Sequence, residues 1–410
     1  MKNFVIFIIA ISACWPLATV SASECELPVL PDYAELKPND MLPDPFLAMD
    51  GHRITRKSEW ECRRAEISRQ VETYQLGPKP LAQGRVVGTL REDDIAVTVQ
   101  HEEREMTFAA RLDLPASGDG PFPAMIVLGH GTGLNAQQTI SGLGVAMIYL
   151  DNGVIAEQLN GGSRGKGEFY RLFPGHEAGA MMAWAWGVSR LIDALETTRG
   201  TNIDASRIGI TGCSRNGKGA IVAGAFDERI AVTISQESGA GGSSLWRVAD
   251  AHQQAWIAAG KVPDYGAVQT LAQIVTENVW FRDSFRQFAA TATRLPFDQH
   301  MVMGLIAPRG LLVINNPDMY WLDRQGSHLG AIAAHRIWQA LGVPDAMGAS
   351  GRGGHPHCTD VPQPELDIVA AYIAKFLLHE EHGNTYVLFS DGNFPDTAAE
   401  WIDWDTPALN

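Results

Sequence analysis

Residues 207–220, Arg-Ile-Gly-Ile-Thr-Gly-Cys-Ser-Arg-Asn-Gly-Lys-Gly-Ala, hold the residue types most able to do chemistry. A short apolar run passes through a glycine-rich turn into a helical stretch, and Ser214 stands at the turn. A serine hydroxyl is a weak nucleophile. A sharp strand-to-helix elbow exposes it and aims the free N–H groups of the helix N-terminus at a developing oxyanion. The G-x-S-x-G spacing is half met: Gly212 precedes Ser214 by two, but Asn216 follows it by two and the next glycine is Gly217. A serine that only caps a helix would look the same. A phosphate loop is set aside because its Lys-Ser/Thr ending is missing.

Such a serine needs a general base and an acid to orient it, and both follow it in the chain. Gly353-Gly354-His355-Pro356-His357-Cys358 is a glycine-rich loop after the last expected strand, and His357 suits the base. His355 and His357 could instead form a metal pair, but no H-E-x-x-H motif or third ligand cluster accompanies them, so no metal or other cofactor is expected. For the acid, Glu237 ends the strand after the nucleophile's helix and Asp318 ends the following one. Either could accept the second ring N–H of His357, and position leaves the choice open.

These residues need a frame. Residues 95–99 and 106–114 alternate apolar and polar around Glu102-Glu103-Arg104, as in a solvated antiparallel hairpin. Ala124–Leu128, Val145–Leu150, Ile208–Thr211, Ala231–Ser235 and Leu311–Asn315 are short apolar runs, suited to strands buried on both faces. Helical stretches at 178–196, 217–226, 331–341 and 365–378 supply crossovers. The expected architecture is an α/β, three-layer sandwich with a mostly parallel central sheet. Residues 27–46 are Pro-rich and irregular, as in a wrapping arm. With 45% apolar and 19% charged residues the 410-residue chain is globular, and no repeat period recurs. The formal charge of −15, without a basic tract, argues against nucleic acid, while eleven tryptophans suit carbohydrate surfaces.

The N-terminus, with Lys2, the apolar run Phe4–Ala13 and the ending Val20-Ser21-Ala22, reads as a signal peptide over residues 1–22, leaving one catalytic domain at 23–410. A secreted or periplasmic location follows, with no membrane association after cleavage. The remaining cysteines, Cys25, Cys62, Cys213 and Cys358, allow three pairings. Cys213 adjoins Ser214 and Cys358 adjoins His357. If those two bond, the disulfide clamps base loop to elbow, and Cys25 then pairs with Cys62.

The chain resembles the glucuronoyl esterases of carbohydrate esterase family 15, closest to their fungal-type members, which carry the Cys-Ser and His-Cys pair. The similar segments cover nearly all of the mature chain. They include Asp44-Pro45-Phe46, Trp60 to Arg64, Gly129-His130-Gly131, Trp184 to Arg190, residues 211–220, Gln236 to Gly239, Leu295 to Asp298, Ala307 to Gly310 and His355 to Cys358. The resemblance implies an α/β-hydrolase fold with Ser214 as nucleophile, His357 as base and Glu237, rather than Asp318, as acid. It implies Arg215 at the oxyanion, and Lys218, Gln269, Glu277 and Trp321 on the sugar. It implies a monomer that hydrolyses (4-O-methyl-)glucuronate esters, as in lignin-to-xylan linkages of glucuronoxylan. An acetyl- or feruloyl-xylan esterase, and a catalytically silent carbohydrate-binding homologue, are the competing readings.

Overall fold

The computed structural model describes residues 25–81, 84–129, 131–260 and 268–410. The expected signal peptide and His130 lie outside them. Ten strands form one sheet: β1 (Arg85–Arg91), β2 (Asp94–His101), β3 (Arg104–Asp113), β4 (Phe122–Leu128), β5 (Ala146–Leu150), β6 (Ile203–Cys213), β7 (Ile230–Gln236), β8 (Gly310–Asn315), β9 (Met347–Gly351) and β10 (Leu388–Ser390). Their spatial order is β1-β2-β3-β5-β4-β6-β7-β8-β9-β10. Pairing is antiparallel from β1 through β3 to β5 and parallel from β5 to β10.

The parallel strands show no polar alternation because both their faces are covered. Ile126 and Leu128 of β4 and Leu311 and Val313 of β8 join the helices Ala180–Thr197, Arg215–Phe226 and Arg324–Ala340 in one core. Met125, Val127, Leu312 and Ile314 pack on the other face with Val369, Tyr372 and Ile373 of the helix Gln363–Ile373. This is the three-layer arrangement of an α/β hydrolase. Only the hairpin alternates: Met106, Phe108, Ala110 and Leu112 of β3 are buried and the residues between them exposed.

Three strands escaped the sequence reading. β1 is mostly exposed. β9 reads Met-Gly-Ala-Ser-Gly, without a branched residue, yet all five are buried, and a Cβ on Gly348 would stand 2.6 Å from the Tyr372 hydroxyl. Close packing selected small residues there over strand formers. β10 has three residues. The helices Lys57–Val71 and Trp246–Ala258 were also unforeseen.

The arm does wrap. Leu36, Leu42 and Phe46 are buried, the Asn39 N–H donates to Thr293 O at 2.8 Å, and the Leu42 N–H to Trp401 O at 2.8 Å. The tryptophan count has a plainer cause than carbohydrate: Trp60, Trp184, Trp186, Trp246, Trp280 and Trp338 rank among the largest fully buried side chains, whereas Trp321 is 39% exposed. Among the described residues no helix is long and apolar enough to cross a membrane.

Candidate active site

Parallel pairing sets the strand ends level. Cys213 pairs with Gln236, Gln236 with Ile314, and Asn315 with Gly351, so the segments that follow β6, β7, β8 and β9 all leave from one edge of the sheet. Sites in open α/β sheets sit beyond that carboxyl edge. Ser214, Glu237, Asp318 and His357 are on these four segments.

Ser214 has φ 58° and ψ −125°, a strained elbow of the kind that costs about 1–3 kcal/mol and that neighbouring contacts must hold. Its N–H donates to Gln236 O at 2.9 Å, and its carbonyl accepts from the Lys218 N–H at 3.0 Å. A Cβ on Gly212 would lie 2.5 Å from Asn216 O, and one on Gly217 2.7 Å from Gln236 O. The glycine-free position two after the serine is thereby explained. Asn216 packs its amide where a Cβ on Gly129 would stand, at 2.3 Å, and accepts from Asn152 Nδ2 at 3.0 Å.

The structure separates the two carboxylates. Glu237, with φ 45° and its side chain fully buried, places Oε2 2.7 Å from His357 Nδ1. Its Oε1 accepts from the Cys358 N–H at 3.1 Å and from Gln236 Nε2 at 3.4 Å. Asp318 instead accepts the Gly354 N–H at 2.7 Å, holding the same loop three residues earlier. The histidines separate too. The His357 ring is 26% exposed and borders the cleft, while the buried His355 turns its ring nitrogens toward Arg352 O at 3.1 Å and Thr359 O at 2.9 Å. Cys213–Cys358 is bonded, with Cα atoms 5.8 Å apart, as is Cys25–Cys62 at 5.4 Å. The sulfurs of Cys213 and Cys358 and a His357 ring nitrogen lie within 4.8 Å of one another, but thiols joined in a disulfide are not thiolate ligands.

Ser214, Arg215, Lys218 and His357 border a cleft of ≈ 1080 Å³. Lys218 is wholly buried, reaching Ser238 O and, at 3.4 Å, Gln269 Oε1. Gln269 Nε2 donates to Glu277 Oε2 at 2.5 Å, and the Gln269 N–H to Trp321 O at 2.8 Å. Burial pulls the Lys218 ammonium down to about 7, with Glu277 opposing and Arg215 adding to the fall. The Trp321 ring meets His357 edge-on, with centroids 5.4 Å apart. All four residues that the resemblance assigned to the sugar thus stand along one cleft with Ser214 and His357. Sequence reasoning missed Trp280, whose ring lies under the Arg215 guanidinium at 5.4 Å and the Lys218 ammonium at 5.8 Å. It also missed Gln236, whose Oε1 accepts from Thr132 Oγ1 at 3.0 Å and the Gly133 N–H at 3.2 Å, tying the loop after β4 to the acid. Only the position of Gln236 beside Glu237 could have drawn attention to it.

A family model described as glucuronyl esterase, fungi, matches residues 97–342. The chain is 43% identical over 383 residues to the 4-O-methyl-glucuronoyl methylesterase of Hypocrea jecorina, covering 93% of this chain and 79% of that one. It superposes on the glucuronoyl esterase catalytic domain from the same organism with TM-score 0.85, 42% identity and coverage of 93% and 100%. A serine-to-alanine mutant of the Sporotrichum thermophile glucuronoyl esterase, in complex with methyl 4-O-methyl-β-D-glucopyranuronate, superposes with TM-score 0.82, 40% identity and coverage of 91% and 97%.

Proposed function

The chain belongs to the fungal-type glucuronoyl esterases of carbohydrate esterase family 15, and from that premise we propose that it hydrolyses esters of D-glucuronic acid and its 4-O-methyl ether by serine-based acyl transfer. Ser214 Oγ attacks the ester carbonyl while His357 takes its proton. Glu237 orients the ring and stabilises the imidazolium through the 2.7 Å contact at Nδ1. The backbone N–H and guanidinium of Arg215 hold the oxyanion. Each such donor is worth about 3–4 kcal/mol to the transition state. His357 then protonates the alcohol oxygen as the C–O bond breaks, leaving a glucuronoyl ester on Ser214. Water attacks that ester, His357 takes its proton and returns it to Ser214 Oγ, and the uronate departs.

The observation that carries this reading is the convergence of Lys218, Gln269 and Glu277 on the serine's cleft. An acetyl or feruloyl group offers such donors and acceptors little, whereas the hydroxyls of a uronate ring can occupy them, with Trp321 against the ring. We assign the natural substrate to lignin-to-xylan esters of glucuronoxylan, and the working enzyme to a monomer, secreted or periplasmic, after removal of residues 1–22.

The test is the mature protein beside Ser214→Ala on benzyl glucuronate, methyl glucuronate and 4-nitrophenyl acetate. Uronate-ester turnover that falls at least about 10⁴-fold in the variant is expected. Dominant acetate cleavage would move the enzyme to the acetyl-esterase reading, and no turnover by the parent on any ester would favour a silent binder.

A further inference from the structure

β10 is three residues long, lies at the edge of the sheet and leaves Leu388 and Phe389 exposed, so it adds little to the core. Its contacts reach the loop that carries His357. Asp391, just after β10, donates its N–H to Gly351 O at 3.0 Å and turns both carboxyl oxygens to the Gly353 N–H, each at 3.2 Å. The Phe389 ring lies under the Arg352 guanidinium at 4.4 Å. Two more carboxyl groups take the neighbouring donors. Glu365, buried in the first turn of the helix Gln363–Ile373, accepts the Arg352 N–H at 3.1 Å, and Asp318, after β8, accepts the Gly354 N–H at 2.7 Å. Three consecutive backbone donors thus meet three acidic side chains from three separate segments.

Gathering acidic groups on one turn costs mutual repulsion, and neither core nor sheet asks for it. The composition of the turn does. Gly353 and Gly354 have no side chains to pack, and Gly354, at φ 84°, holds a left-handed backbone that glycine enters and leaves freely. A Cβ on Gly353 would stand 2.6 Å from Asp318 Oδ2, so that carboxyl reaches the backbone only because the residue is glycine. Downstream of His357, Cys358 is fixed by its disulfide and by its N–H bond to Glu237. Resting on the preceding assignment of function, we propose that Asp391 and Glu365, together with Asp318, are positioning residues that hold the upstream half of the His357 loop by its backbone and so keep the base in reach of Ser214 Oγ. None of the three lines the cleft, so they act through His357 and not on the substrate. Misplacing a reacting group by 1 Å costs about 10²-fold in rate, and the effect falls on kcat.

The experiment measures kcat and KM for methyl glucuronate, per mole of protein folded by circular dichroism. Asp391→Ala is expected to lower kcat about tenfold with KM within about twofold of the parent. Asp391→Asn keeps an accepting oxygen for the Gly353 N–H and should recover kcat to within about threefold. Adding Glu365→Ala to Asp391→Ala should deepen the loss to about 10²-fold. Should that pair fail to fold, the two Asp391 variants, at an exposed position, decide alone. A kcat unchanged in Asp391→Ala, equal losses in Asp391→Ala and Asp391→Asn, or a raised KM with kcat kept, would overturn the positioning role. Failure of the parent to cleave the ester would instead overturn the assigned function and this role with it.

Discussion

One disulfide ties the start of the described chain to its first long helix, and the other ties the nucleophile elbow to the base loop. Cys25–Cys62 closes 37 residues and fixes an arm that packs over the fold, whereas Cys213–Cys358 closes 145 and joins the residues next to Ser214 and His357. The chain-entropy model gives about 4 kcal/mol for the first and about 5 kcal/mol for the second, nearly the same stabilisation. What differs is the cargo. The two regions also bury their cations differently. Near the arm, Arg247 donates to Asp298 at 2.9 Å and to the carbonyls of Asn39, Thr293, Leu295 and Phe297, a saturated node with no capacity for a ligand. In the cleft, Lys218 meets one carbonyl and one amide oxygen and has its charge weakened by burial. The arm is finished structure, and the catalytic edge is held rigid with its valences partly open.

Four substitutions probe that contrast, in descending effect on turnover. Glu237→Gln keeps the shape of the acid but removes its charge from Nδ1 of His357, so kcat for a uronate ester should fall about 10³–10⁴-fold with little change in melting temperature. A loss below tenfold would show that Asp318 can replace it. Removing Cys213 and Cys358 together should lower kcat about 10- to 100-fold at 25 °C, where the protein is still folded by circular dichroism, because the base loop loses its covalent register with the elbow. Lys218 should make KM depend on pH. A lysine depressed to about 7 is mostly ammonium at pH 6 and mostly amine at pH 8, so KM should rise several-fold across that interval, and Lys218→Met should give a high KM that is flat with pH. Cys25→Ala with Cys62→Ala should leave kcat/KM within twofold while unfolding free energy drops by up to about 4 kcal/mol. A parallel fall in activity there would erase the distinction between the two regions.

The catalytic edge was legible in the sequence because strand, tight turn and helix follow in order around Ser214, and because Cys213 and Cys358 each adjoin a reactive residue. The acid was not legible from position, since Glu237 and Asp318 occupy equivalent strand ends; the family resemblance named Glu237, and the folded geometry sends it to the His357 ring and Asp318 to the Gly354 N–H. β9 was illegible for a different reason: packing under Tyr372 replaced branched residues with glycine and alanine, which carry no strand signal. The roles of Trp280 and Gln236 depend on neighbours far along the chain, to which local patterns are blind.

The span of the second disulfide has a consequence for biosynthesis. Cys62 meets its partner as soon as the first helix forms, but Cys213 must wait for 145 further residues, about 7–30 s of translation at 5–20 residues per second. Throughout that interval the thiol beside the nucleophile is unpaired, and it can close correctly only after β7, β8 and β9 have docked in order. The oxidised bond is therefore a record that the parallel sheet was assembled through β9, and a reducing host would release chains that lack it.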